Sequence, residues 1–115
     1  MFRIVFALLC LALPASAQDL TRVTDRAAFE SRVIGQDLSR LGITVRVRPG
    51  GVIVGSAFGG EVTGSWDWQD GFFCREMSWG SRSWDWNCQA VYIGGDTVRF
   101  IADRGQGDSA DLTIQ

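Results

Sequence analysis

From Gly35 to the end of the chain, residues alternate with a period of two and are interrupted by glycine at short intervals. Thr44-Val45-Arg46-Val47-Arg48 is the clearest case, with polar and apolar side chains in strict alternation. Such a run cannot present one continuous apolar face as a helix. As a strand it buries one face and wets the other. Pro49-Gly50-Gly51 then turns the chain into Val52-Ile53-Val54, and Gly59-Gly60 separates Ser56-Ala57-Phe58 from Glu61-Val62-Thr63. Asp70-Gly71 is the strongest turn signal, because both residues tolerate the positive φ of a tight hairpin. Gly94-Gly95-Asp96 joins Gln89–Ile93 to the run from Thr97 to Ala102, and a last strand is expected from Asp111 to Ile114. Gly55, Gly64 and Gly80 fall inside or beside strands, where they mark bulges or tight bends.

Ahead of this region the pattern is helical. Thr24 is placed to cap a helix, with Asp25 in its first turn, an apolar face from Ala27, Ala28, Phe29, Val33 and Ile34, and Gly35 as its stop. A helix of about ten residues needs tertiary packing to persist. The expected fold is therefore mainly β. A short N-terminal helix precedes an antiparallel meander of about seven or eight strands, forming a small barrel or strongly curved sheet. Closure would hide the sheet edges, and the helix would plug or cover one end.

Residues 1–17 read as an export signal, followed by a single small β domain over residues 18–115. Arg3 supplies the positive start, Ile4 to Leu13 the apolar run, and Ala15-Ser16-Ala17 the small-residue cleavage site. That run is too short to span a bilayer, so the mature form is expected to be periplasmic or secreted, with no membrane attachment. Export removes Cys10 and leaves Cys74 and Cys88. In an oxidising compartment the pair reads as one structural disulfide. Zinc would need further ligands, and a redox pair usually stands as Cys-x-x-Cys. Loop-closure entropy for a ring of this size is worth roughly 3 kcal/mol.

All 11 cations in the chain are Arg, and His is absent. This excludes imidazole bases, His metal ligands, Schiff-base lysines and Walker-type phosphate loops. Ser109 in Gly107-Asp108-Ser109 has no His to activate it. Asp103, Asp108 and Asp111 do not follow the alternation of an EF-hand. Asp67, Asp70, Glu76 and Asp85 read as solvated turn and strand carboxylates rather than a glycosidase pair. A net charge of −2 without Lys argues against nucleic acid as a partner. No catalysis and no cofactor or metal are expected.

All five Trp lie between Gly64 and Cys88, and Ser65-Trp66-Asp67-Trp68 recurs as Ser83-Trp84-Asp85-Trp86. A two-residue turn at Asp70-Gly71 sets Trp68 opposite Phe73, Asp67 opposite Cys74 and Trp66 opposite Arg75. Trp66 and Trp68 are expected in the core, with a cation–π contact between Trp66 and Arg75. Trp84 and Trp86 fall in a polar stretch expected to be a loop closed by the disulfide. With Arg82 and Arg75 they form the candidate binding surface for an unidentified protein or glycan. Gly80–Asn87 would alternatively be the rigid loop of an inhibitor of a cell-wall hydrolase or protease.

Gly64-Ser65-Trp66-Asp67-Trp68-Gln69-Asp70-Gly71-Phe72-Phe73-Cys74-Arg75, with Trp79-Gly80, Cys88-Gln89 and Asp103 to Gly107, resembles the pattern of a group of small exported bacterial proteins of uncharacterised function. Members are sometimes labelled dihydrodipicolinate reductase. That activity needs a Rossmann domain, a nicotinamide cofactor and a His-His…Lys segment. The sequence carries neither His nor Lys, so the resemblance implies membership without that chemistry. In architecture alone the chain is also similar to small-barrel periplasmic lysozyme inhibitors, although it lacks their binding motif.

Overall fold

A computed structural model describes residues 19–115; the export signal expected over residues 1–17 lies outside the described residues. The elements in chain order are β1 (Thr21–Val23), α1 (Arg26–Val33), β2 (Asp37–Arg40), β3 (Ile43–Arg48), β4 (Val52–Ala57), β5 (Gly60–Gln69), β6 (Phe72–Trp79), β7 (Arg82–Gly94), β8 (Thr97–Ile101), α2 (Ala102–Gly105) and β9 (Ser109–Ile114). The sheet order is β1-β7-β6-β5-β4-β3-β2-β9-β8, and β8 pairs back onto β7. Eight antiparallel strands thus close a barrel, and β1 adds to β7 beside it. The eight strands after the helix match the expected meander. Every barrel pairing joins consecutive strands except β9 with β2, which closes the ring.

Turn chemistry fixes the hairpins. Asp70 and Gly71 have φ of 54° and 84°, the paired positive values that match the twist of the flanking strands. The resulting register sets Trp68 opposite Phe73, Asp67 opposite Cys74 and Trp66 opposite Arg75, as the turn implied. Phe58 belongs to a turn rather than a strand. With Gly59 it also takes positive φ, 49° and 82°, which ends β4 at Ala57 and leaves the Phe58 ring exposed.

The helix starts one residue later than its sequence suggests. Asp25, not Thr24, is the N-cap, and its carboxylate accepts the Ala28 backbone N–H at 3.0 Å. Phe29 and Val33 leave the helix for the barrel interior and are fully buried. Phe29 packs on Trp68, Phe73 and Trp66, with ring centroids 4.9, 5.2 and 5.9 Å away. An eight-residue helix with little intrinsic stability is held by this aromatic plug. Trp66 is 4% exposed, and its indole N–H donates to the Arg48 carbonyl at 2.8 Å. The cation over its ring is Arg26, at 5.3 Å, not Arg75. The helix brings Arg26 over Trp66 from outside the hairpin, while Arg75 is turned toward another part of the interior.

Cys74 and Cys88 form a disulfide between directly opposite residues of β6 and β7. It does not close a loop at Gly80–Cys88, as the sequence suggested. Ser83 to Asn87 continue β7, because their polar and aromatic residues find partners along β6. The disulfide lies on the outer face, and α2 packs against β7 beside it. Arg104 stacks on Phe72 at 4.9 Å, and Asn87 and Asp103 exchange hydrogen bonds of 2.7 and 3.0 Å.

Gly55 and Gly64 lie in strands of unbroken register, so neither is a bulge. They mark sites of close approach. A Cβ on Gly64 would run into the Glu76 carbonyl oxygen, and one on Gly55 into that of Thr44. Both residues let neighbouring strands coil tightly enough to close a small barrel. Gly64→Ala is expected to cost about 1–3 kcal/mol in denaturant unfolding. A cost below about 0.5 kcal/mol would show that the barrel has room there.

Candidate functional site

The β6–β7 register changes within the hairpin. Arg75 pairs with Asn87, but Met77 pairs with Trp84. Asp85 and Trp86 together therefore stand opposite Glu76, as a β-bulge. The extra residue inverts the alternation of β7. On one side of the bulge Trp84 shares the interior face of Met77. On the other, Trp86 shares the outer face of Cys88.

The bulge divides the candidate surface. Trp84 and Arg75 line a cavity of about 420 Å³ inside the barrel. Arg82 stacks on Trp84 at the rim, its guanidinium carbon 5.4 Å from the ring centroid. Trp86, 46% exposed, stands outside. Three of the four residues are thus brought together, and the fourth is on the opposite face of the strand. Trp84 is 37% exposed, so its ring spans interior and solvent.

The cavity floor is apolar. Leu38, Val47, Ile53, Phe73 and Phe100 contribute to it, and each is buried. Gln89, the one buried polar side chain among the described residues, also faces it. The charged groups at the cavity are Arg75, Arg40 and Asp108, the last two exposed at the mouth. Of the barrel-strand Arg without an ion pair among the described residues, Arg40, Arg48 and Arg82 are exposed and Arg75 is half-buried. Arg46 and Arg99 hold Asp37 and Asp111 at 2.7 Å. Arg75 has no ion pair among the described residues; it donates only to the Asp85 backbone carbonyl, at 3.3 Å. Burial pushes its guanidinium below the usual range, offset in part by the field of Glu76. It remains a cation at any physiological pH. A half-buried cation with no carboxylate partner is costly to fold around.

The other chemical candidates resolve into structural roles. Asp103 binds Asn87, and Asp111 is held by Arg99 in two hydrogen bonds that keep its carboxyl below the usual carboxylate range. No group of His, Cys, Asp and Glu among the described residues is arranged to hold a metal ion. Ser109 begins β9 opposite Ile101, at the cavity mouth.

The sequence pointed to Arg75 and Trp84 but missed Arg40 and Gln89. Gln89 was legible, because it lies two residues from Val91 on the apolar face of β7. Arg40 was not, because β2 is too short to show an alternation.

No protein-family model, curated protein or solved structure matches the chain.

Because Arg75 satisfies no carboxylate, it is not needed to hold the barrel together. Arg75→Met is expected to leave stability unchanged or raise it by up to about 2 kcal/mol in urea unfolding. A loss of more than about 2 kcal/mol would make Arg75 a structural residue instead.

Proposed function

We propose that this chain is a non-catalytic binding domain of an exported protein, and that its ligand enters the barrel mouth at Arg75, Trp84 and Arg82. The single observation that carries this reading is an unpaired, half-buried Arg75 beside a half-exposed Trp84 on an apolar cavity. Natural domains tolerate such a combination where binding repays it. The disulfide supports an oxidising compartment. No helix among the described residues is long and apolar enough to cross a membrane. The absence of His and Lys supports binding rather than catalysis. The resemblance of the Trp-Cys segment to a group of small exported proteins fits the same reading.

A second reading rests on the hairpin end. Residues 82–87 of β7 pair with β6 alone, because β8 joins β7 only from Ala90. Trp84 and Trp86 are thereby carried on a stiff ribbon with one open edge, a shape suited to a hydrolase cleft.

The two readings separate on which Trp matters. The purified protein is offered cell-envelope lipid extract and a cell-wall digest, and bound species are read by native mass spectrometry. Trp84→Ala is expected to lower occupancy at least tenfold, while Trp86→Ala leaves it within a factor of about two. Occupancy unchanged by Trp84→Ala removes the barrel-mouth assignment. Inhibition of lysozyme at micromolar concentration, lost in Trp86→Ala, would favour the hairpin instead.

A further inference from the structure

We infer that the barrel cavity takes an acyl chain ending in a carboxylate, with the chain on the apolar floor and the head group at Arg75. The inference rests on the barrel-mouth reading and gives it a ligand class.

The lining decides between classes. A sugar needs donors and acceptors spaced along its whole length. The floor supplies Leu38, Val47, Ile53, Phe73 and Phe100, with Gln89 as its only buried polar side chain among the described residues. A flexible apolar chain is the better match, since each methylene gains by leaving water and asks for no hydrogen bond. A cavity of about 420 Å³ is within the range of small-molecule sites. Eight-stranded barrels are wide enough inside to hold one such ligand.

The charge decides the head group. Arg75 and Arg40 both reach the cavity, and Asp108 is the one carboxylate among the described residues that does. Asp108 and Arg40 are exposed at the mouth, where solvent screens them. Arg75 lies deeper, and its guanidinium has donors left after the single bond to the Asp85 carbonyl. A carboxylate there receives charge-assisted, potentially bidentate hydrogen bonds. Glu76, the nearest opposing charge along the strand, stands on the outer face and bonds Ser65 at 2.7 Å. Trp84, at the rim with Arg82 stacked on it, would cover the chain where it enters.

Isothermal titration of the full mature protein with straight-chain carboxylates from octanoate to tetradecanoate, each below its micelle concentration, tests the assignment. Affinity is expected to rise about fourfold per added methylene until the cavity is full, then to level off. The matching primary alcohols should bind about tenfold or more weakly. Arg75→Gln should remove that difference by weakening the carboxylates alone.

No binding of any chain at 1 mM (about the weakest affinity such a titration would register) overturns the inference, as does affinity independent of chain length. Equal loss for acids and alcohols in Arg75→Gln overturns the head-group assignment. Should that variant not fold, the acid–alcohol comparison on the unaltered protein still decides. If the acyl series fails while Trp84→Ala still abolishes binding of another extract component, the ligand class is wrong and the mouth stands. If both fail, the mouth reading falls with it.

Discussion

The register of β6 against its two neighbours determines which side chains reach the barrel interior. Side chains alternate along a strand, so a slip of one residue would exchange the inner and outer sets. Two devices hold this register. The Asp70-Gly71 turn fixes β5 to β6, and the Cys74–Cys88 disulfide joins directly opposite positions of β6 and β7. With both in place, Phe73, Arg75 and Met77 share the interior face. The disulfide therefore does more than limit the unfolded chain. It anchors β7 just after the bulge that reverses its alternation.

That bulge gives the hairpin two unlike faces. The two Ser-Trp-Asp-Trp segments are identical in sequence and differ in outcome. In β5 the unbroken register keeps Trp66 and Trp68 on one face, where Phe29 packs between them and Phe73. In β7 the extra residue sends Trp84 inward and Trp86 outward. One end of the barrel is filled by the helix and its aromatic cluster. The other part of the interior is left with a cavity, an uncompensated cation and a half-exposed ring. Folding alone would favour an apolar residue at Arg75, which is why the site reads as functional.

Much of this fold is legible in the sequence because its signals are local. Asp70-Gly71 and the glycine pairs mark the hairpins, and strict alternation marks β3. The failures have local causes too. β2 is four residues long and β1 three, too short for a period to register. Ser83 to Asn87 looked like a loop because three of its five residues are polar and it lacks a β-branched residue; pairing along β6 overrides that weak propensity. The bulge is invisible in sequence, because it depends on how two strands of fixed ends accommodate one extra residue. Arg75 and Trp84 could thus be named as candidates from composition, but their separation from Trp86 required the register.

The central claim is that the bulge places Trp84 inside the barrel and Trp86 outside. Nuclear Overhauser contacts measure this directly in the oxidised protein. The Trp84 indole is expected to contact the Met77 methyl, its cross-strand partner on the interior face, while the Trp86 indole shows no contact with Met77. Contacts to Met77 from both indoles, or from neither, would mean that β7 keeps its alternation through the hairpin and carries Trp84 and Trp86 on one face, which would contradict the division of the site.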